Sequence, residues 1–117
     1  MQIGIDIVKV ARVRDAIRKQ KKFLERVFTD DEIAYCGNKR AAYESYAARF
    51  AAKEAVIKAF GERKHGMQMK DIEVVRSVQG VPAIRLPKAV MKKFRIKKIS
   101  LSVTHEQAFA VAVVVMR

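Results

Sequence analysis

Hydrophobic and polar residues alternate at both ends of the chain. Within residues 2–8, three isoleucines face one way and alternate with Gly4 and Asp6, which predicts a strand with two different faces. A glycine weakens a strand, and close approach of a ligand is one reason to keep it. We therefore expect open space beside the Asp6 carboxylate. The structural alternative is a bulge that turns Asp6 to solvent.

The same patterns predict the remaining elements. Thr29 and Glu32 form a capping box that starts a short helix, and Gly61 is a natural stop for the long one. The predicted elements are helices over 10–19 and 21–28, a short helix over 30–36, a long helix over 40–60, a basic loop over 62–70, strands over 71–77 and 81–86, a short helix from 87 to about 94, and a hairpin of strands over 98–105 and 108–116.

The long helix is apolar nearly all round. Phe50 and Ile57 share one stripe with Glu54 in its middle, and further apolar residues lie beside Lys53 on another face. Such a helix should be buried or lie at an interface, where a carboxylate needs a cation, a metal or hydrogen-bond donors. The alternative is a Glu54–Lys58 pair on a solvated face, which would stabilise the helix by a few tenths of a kcal/mol.

Length and charge narrow the possible functions. The 117 residues fit one domain, 1–117, and 25 Lys and Arg against 12 Asp and Glu give a net charge of +13. This excess indicates polyanionic partners, and nucleic acid, a phosphate-rich nucleotide cofactor and an acidic protein fit equally well. The single cysteine, Cys36, excludes an intramolecular disulfide and is interpreted as a small buried hydrophobe.

The apolar runs are too short for a membrane span. The longest, residues 108–116, suits a buried strand. The amino terminus does not have the pattern of a signal peptide, because Asp6 interrupts its apolar run. We expect a cytoplasmic protein without a membrane partner.

Asp6 and Glu54 are the candidate metal ligands. Paired hard oxygen ligands without His or Cys suit Mg²⁺, which keeps several waters and binds substrate phosphate oxygens. Lys53 and Lys58 flank Glu54 in sequence and would supply positive charge for phosphate. The residue types alone argue only for metal-assisted chemistry at a phosphate.

Four separated motifs span essentially the whole chain. They are Ile-Gly-Ile-Asp-Ile-Val at 3–8 with Arg-Val at 12–13, Phe-Leu-Glu-Arg-Val-Phe-Thr at 23–29 with Glu32, Arg-Phe-Ala-Ala-Lys-Glu-Ala at 49–55 with Lys58 and Gly61, and Leu-Ser-Val-Thr-His at 101–105 with Phe-Ala-Val-Ala at 109–112. In this order they resemble the motifs of the 4′-phosphopantetheinyl transferases, and most closely those of the short bacterial members, the holo-[acyl-carrier-protein] synthases.

The resemblance implies an α+β fold, an antiparallel sheet wrapped by one long helix and several short ones. It implies transfer of 4′-phosphopantetheine from coenzyme A to a serine of apo acyl carrier protein for fatty acid biosynthesis, releasing adenosine 3′,5′-bisphosphate. Asp6 and Glu54 would hold Mg²⁺ on the pyrophosphate, and Lys58 would neutralise the leaving phosphate. Either Glu54 or a metal-bound water that it orients would take the serine proton.

Further roles follow from the same resemblance. His105 is expected to contact the cofactor or the metal-bound water, although a lone histidine ending an apolar strand is more often structural. The predicted cofactor contacts are Lys53, Lys58, Gly61, Arg63, Lys64 and His105. The predicted docking surface for the acidic carrier protein is formed by Arg12, Lys19, Lys22 and Phe23. A single-copy chain is expected to assemble as a homotrimer with sites between subunits.

The chain departs from the family pattern in two places. Lys9 stands where many relatives carry an acidic residue, and the glycine-rich stretch after the long helix reads Gly-Glu-Arg-Lys-His-Gly at 61–66. Side-chain charge from Arg63 and Lys64 could replace backbone contacts to phosphate there. Two other classes of protein compete with this interpretation, a small basic nucleic-acid-binding domain and a non-catalytic member of the same fold. The first lacks a recognisable binding motif, and the second would be marked by loss of Asp6 or Glu54.

Overall fold

The computed structural model of this chain describes residues 1–64, without the side chain of Lys64, and residues 66–117. The described elements form two antiparallel sheets and a set of helices, so the predicted α+β class is confirmed. In chain order they are β1 (Gln2–Lys9), α1 (Val10–Lys19), α2 (Phe23–Val27), α3 (Asp30–Gly37), α4 (Ala42–Phe60), 3₁₀ turns over Gly61–Lys64 and Met69–Asp71, β2 (Glu73–Arg76), β3 (Pro82–Arg85), α5 (Lys88–Lys93), β4 (Ile99–His105) and β5 (Phe109–Met116).

A three-stranded sheet and α4 form the main core. The strand order is β1-β5-β4, and β2 pairs with β3 in a separate two-stranded sheet. Alternate residues of β5, from Ala110 to Met116, are fully buried, because this face of the sheet packs against α4. Asp6 lies opposite Ala112 in the ladder, and His105 lies opposite Ala110.

Gly4 lets β1 touch the backbone of α4. A Cβ atom at this position would lie 1.8 Å from the carbonyl oxygen of Ala55 and 2.8 Å from the backbone nitrogen of Ala59. The space at Gly4 is therefore filled by α4, so this glycine is not kept for the approach of a ligand. The consequence for the site is that Asp6, on the same face of β1, lies directly beside α4.

The opposite face of the sheet is apolar and exposed. Ile3, Ile5 and Ile7 are 67%, 58% and 64% exposed, and they pair with Val115, Val113 and Val111 of β5. Isolated apolar residues on a surface are common, but a contiguous apolar patch of this kind is typical of an interface.

Local sequence signals correctly placed most element ends. Thr29 caps α3 through the predicted box, in which the Thr29 N–H donates to Glu32 Oε1 at 2.8 Å and the Glu32 N–H donates to Thr29 Oγ1 at 3.2 Å. Gly61 ends α4 with a φ of +60°. The predicted basic loop over 62–70 contains parts of two 3₁₀ turns. Among the described ranges, no helix is both long enough and apolar enough to cross a bilayer.

Candidate active site

Asp6 and Glu54 line one cleft, which we call the carboxylate cleft. Asp6 comes from β1 and Glu54 from the middle of α4, so the close packing of these two elements brings the predicted metal pair to one place. The cleft has a volume of about 440 Å³ and is lined by Asp6, Ile7, Val8, Arg12, Val13, Ala16, Gln20, Phe23, Phe50 and Glu54. Two of the predicted carrier-docking residues, Arg12 and Phe23, therefore belong to the walls of this cleft.

Lys58 is joined to the carboxylate cleft through an ion pair with Asp6. Its Nζ donates to Asp6 Oδ1 at 3.0 Å, and the side chains of Lys58 and Asp6 are 55% and 13% exposed. Glu54 lies one helical turn before Lys58 on α4, so its carboxylate and this ammonium share a helix face. Because Lys58 reaches into solvent, it can move from Asp6 to an incoming phosphate at little cost.

The donor set of the carboxylate cleft fits a magnesium ion. No group of three or more His, Cys, Asp or Glu side chains is placed to hold a metal in the part of the chain that the structure describes. The two carboxylates would therefore be complemented by water and by substrate oxygens, as Mg²⁺ prefers. A zinc or calcium site would need more protein ligands than this cleft provides.

Lys53 does not line the carboxylate cleft, which corrects the prediction that it contacts the cofactor. Its side chain is fully buried and forms an ion pair with Glu32 at 2.7 Å. The ammonium also donates to the carbonyl oxygens of Met69 and Ile72. Burial lowers the pKa of Lys53 even though the Glu32 carboxylate acts to raise it. Successive residues of a helix point about 100° apart, so Lys53 faces the core while Glu54 faces the cleft.

A second cleft, the arginine cleft, lies near the amino end of α4. It has a volume of about 530 Å³ and is lined by Tyr35, Lys39, Arg40, Ala41, Ser45, Ala48, Arg49, Val74, Arg76, Pro82, Val103 and His105. Three cations surround the Tyr35 ring, at 4.3 Å for Arg49 Cζ, 4.4 Å for Lys39 Nζ and 5.2 Å for Arg76 Cζ. Burial raises the pKa of Tyr35, but Lys39, Arg76 and Arg49 together hold this pKa below its ordinary value.

Arg49 is the deepest cation of the arginine cleft. It is only 7% exposed, and one of its terminal nitrogens donates to Ser45 Oγ at 3.3 Å. Its buried Nε has no hydrogen-bond partner within the described structure. A buried donor without an acceptor is rare, since it loses its hydration without replacement. This cluster of cations is suited to an anionic ligand.

His105 belongs to the arginine cleft, and the structure does not bring it to Asp6 and Glu54. Its Nδ1 lies 3.2 Å from Oε1 of Glu44 in the first turn of α4. Glu44 and Glu54 are ten residues apart on this helix, which separates them by about 15 Å. Within one chain, the predicted histidine contact and the predicted metal pair therefore lie in different clefts.

The remaining predicted residues are divided between the surface and the end of α4. Lys19 and Lys22 are exposed near the carboxylate cleft without lining it. Gly61 is exposed, and the Arg63 guanidinium lies 5.7 Å from the Phe60 ring centroid. The side chain of Lys64 lies outside the described residues.

Sequence reasoning missed Tyr35, Lys39, Arg49 and Arg76 of the arginine cleft as site candidates, and it missed Glu44, which contacts His105. The only signal for any of them was Arg49, a cation on a helix that is apolar nearly all round. The others come from separate elements, and Glu44 and His105 are 61 residues apart in sequence. No local spacing could have joined them.

Comparison with known proteins gives a family match and full-length relatives. Residues 2–114 match the model of the 4′-phosphopantetheinyl transferase superfamily. The holo-[acyl-carrier-protein] synthase of Clostridium tetani is 41% identical over 113 residues, covering 94% of this chain and 90% of the relative. That of Halothermothrix orenii is 44% identical over 117 residues, covering 97% and 94%.

Solved structures agree with this match. The Helicobacter pylori holo-[acyl-carrier-protein] synthase in complex with coenzyme A has a TM-score of 0.85 at 39% identity, covering 98% of this chain and 99% of that one. The Neisseria meningitidis enzyme has a TM-score of 0.87 at 29% identity, covering 99% and 97%. The fold predicted from the sequence is therefore confirmed by structures of similar length.

Proposed function

The chain belongs to the 4′-phosphopantetheinyl transferase superfamily, and on that premise we propose how its two clefts carry out the reaction. It transfers the 4′-phosphopantetheine group of coenzyme A to a serine of apo acyl carrier protein and releases adenosine 3′,5′-bisphosphate. The observation that carries the proposal is the carboxylate cleft, which Asp6 and Glu54 line together with Arg12 and Phe23, and whose Asp6 pairs with Lys58. We assign the reaction to fatty acid biosynthesis in the cytoplasm.

Asp6 and Glu54 are the residues that would hold Mg²⁺ in the carboxylate cleft. Bound there, the ion would neutralise charge on the pyrophosphate, which is the chemistry it supplies. Asp6 is 13% exposed as a side chain, so water competes little with a ligand for its carboxylate. Glu54 accepts the proton of the serine hydroxyl, directly or through a water, while that oxygen attacks the phosphorus next to pantetheine.

Lys58 has the complementary role. Its ammonium leaves Asp6 and binds the phosphate of the departing adenosine 3′,5′-bisphosphate, whose negative charge grows as the bond to phosphorus breaks. The ion pair with Asp6 thus keeps Lys58 at the cleft until the substrate binds. Catalysis here is mostly positioning and charge stabilisation rather than covalent chemistry.

The arginine cleft supplies the second wall of the site from a neighbouring subunit. Coenzyme A carries phosphate groups at the 3′ and 5′ positions of its ribose. A phosphate oxygen there could accept the hydrogen bond that the buried Nε of Arg49 lacks. His105, positioned by Glu44, would contact the same end of the cofactor. About 15 Å of helix separates Glu44 from Glu54, and we assign the two clefts that contact one cofactor to two copies of the chain.

Assembly as a homotrimer would serve two purposes. It would join the carboxylate cleft of one subunit to the arginine cleft of the next, and a closed ring of three repeats this contact without leaving a free end. It would also cover the exposed face that carries Ile3, Ile5 and Ile7. The acidic carrier protein would bind Arg12, Lys19, Lys22 and Phe23 at the open edge of the carboxylate cleft.

Mass spectrometry of the carrier tests the function directly. The protein is incubated with coenzyme A and an apo acyl carrier protein, once with Mg²⁺ and once with a chelator. We expect the carrier to gain one phosphopantetheine only when Mg²⁺ is present. An unmodified carrier would contradict the transferase function, whereas equal modification with the chelator would contradict only the metal requirement.

Mixing inactive chains tests the shared site. Asp6→Asn chains and His105→Ala chains are each assayed alone, and then after unfolding and refolding together in equal amounts. Random assembly should leave both walls intact at about a quarter of the interfaces, so about that fraction of activity should return. No recovery, or a fully active monomer by light scattering, would contradict a site built from two subunits.

A further inference from the structure

The turn that follows α4 carries a cation, Arg63, that lies within cation–π distance of two aromatic rings, one of which, Phe94, also lies near Lys93. The Arg63 guanidinium carbon lies 5.7 Å from the ring centroid of Phe60 and 5.6 Å from that of Phe94. The two rings meet edge to face, with centroids 5.1 Å apart and planes at 72°. Phe60 is 2% exposed, so this stack rests on the core. Attraction between a guanidinium and a ring at this distance restricts the conformations of an otherwise free side chain.

Arg63 keeps its charge available. Among the described residues, the ion pairs and side-chain hydrogen bonds include none from Arg63, and the residue is exposed. It lies five residues after Lys58, at the end of the helix that carries Glu54. A guanidinium near two rings that accept no hydrogen bond in the ring plane keeps N–H groups that can bind a phosphate in bidentate fashion.

Phe94 comes from a different part of the chain. It is the residue at which α5 ends, and the Ile96 N–H donates to the carbonyl oxygen of Met91 to fold the chain back at this point. Arg95, with a φ of +54°, makes the reversal. The short helix α5 thus delivers an aromatic ring to the end of α4.

We propose that Phe94 is a positioning residue for coenzyme A, which holds Arg63 where its guanidinium binds a phosphate of the cofactor. This inference rests on the proposed function. Residues 61–66 have glycine only at their two ends, so a side chain fixed by α5 replaces contacts that a glycine-rich backbone would make. The aromatic stack acts through Arg63 and touches neither the transferred group nor the carrier protein.

A double-mutant cycle measured by calorimetric titration of coenzyme A, without carrier protein, tests this inference. Arg63→Met should weaken binding by about tenfold, the size of one charged hydrogen-bonded contact. Phe94→Leu should weaken it by about two- to fivefold, as expected for the loss of a cation–π contact. In the Arg63→Met background, Phe94→Leu should have no further effect. Phe94→Trp, which keeps an aromatic face, should retain the wild-type affinity.

Two controls separate this role from a structural one. Lys92→Met removes an exposed cation of α5 that is not among the cation–ring contacts of the described residues, and it should leave the affinity unchanged. In transfer assays, Arg63→Met and Phe94→Leu should raise KM for coenzyme A and leave kcat and KM for the carrier near wild type. If Phe94→Leu does not fold, Phe94→Met fills the space without a ring.

The outcomes are distinct. An equal loss from Phe94→Leu with and without Arg63 would mean that the ring acts through packing, which overturns the inference. An unchanged affinity in Arg63→Met would also overturn it, while normal transfer by the wild-type protein would leave the proposed function in place. Absence of transfer by the wild-type protein would overturn both.

Discussion

The two clefts differ in the sign of their charge and in how that charge is arranged. The carboxylate cleft pairs Asp6 with Lys58 and places Glu54 nearby, so its charges are partly neutralised before any ligand arrives. The arginine cleft collects Lys39, Arg49 and Arg76 around one tyrosine and leaves a buried donor without an acceptor. The first arrangement suits a metal and a moving cation, and the second suits a fixed anion. Under the proposed function, this difference assigns the chemistry to the carboxylate cleft and cofactor binding to the arginine cleft.

The largest expected effect concerns the carboxylate cleft. Asp6→Asn and Glu54→Gln should each lower transfer by at least about 100-fold, because each removes charge that acts on the reacting phosphate. Transfer is measured by mass spectrometry of the carrier at limiting Mg²⁺, and circular dichroism checks the fold. Glu62→Gln, which changes an exposed carboxylate just beyond α4, is the matched control. Near wild-type transfer by either cleft variant would remove that residue from the site.

The second prediction compares two lysines of α4. Lys53→Met should lower the free energy of unfolding by about 3–5 kcal/mol, because it leaves the buried Glu32 carboxylate without its cation. Lys58→Met removes an exposed cation and should change stability by less than about 1 kcal/mol while lowering transfer. Urea unfolding measures both. Equal stability of the two variants would contradict the assignment of Lys53 to the core.

The third prediction compares how a change in each cleft affects KM for coenzyme A and KM for the carrier protein. Arg49→Met should raise KM for coenzyme A by about tenfold and leave KM for the carrier unchanged, because a charged contact to phosphate is lost. The double variant Arg12→Glu with Lys22→Glu should raise KM for the carrier and leave KM for coenzyme A unchanged. This effect should disappear at high salt, because surface charges mainly steer association. Lys92→Glu on α5 is the control for charge reversal. If both variants raised KM for coenzyme A and for the carrier to a similar extent, the two clefts would not bind different substrates.

The smallest expected effect concerns Glu73, which lies on β2, the strand that also carries Arg76 to the arginine cleft. Burial raises the pKa of Glu73, but the hydrogen bond from Thr29 and the Arg85 guanidinium hold it below its ordinary value. A lowered folded-state pKa means that the stabilisation is present above the unfolded-state pKa and is lost as pH falls through the folded-state one. From about pH 5 downward, wild type should therefore lose about 1–2 kcal/mol more stability than Glu73→Gln. Parallel pH profiles in urea unfolding would contradict this role.

Local sequence signals were sufficient for most element ends. The capping box at Thr29 and the stop at Gly61 each depend on a few neighbouring residues, so they could be predicted. The family motifs pointed to Asp6 and Glu54. Residue spacing could not show that Lys53 would be buried, since its partner Glu32 lies on α3 and meets Lys53 only when the chain folds. The separation of His105 from the carboxylates was hidden for the same reason, because it depends on where β4 meets α4.

The contact at Gly4 constrains substitution at a position that has no chemistry of its own. Even one methyl group there would push β1 from α4, and with it Asp6 from Glu54, because the obstacle is backbone that no rotamer change can move. Selection for catalysis can therefore act on a residue with no side chain to offer a substrate. The spacing of Asp6 and Glu54 therefore depends in part on the absence of a Cβ atom at residue 4.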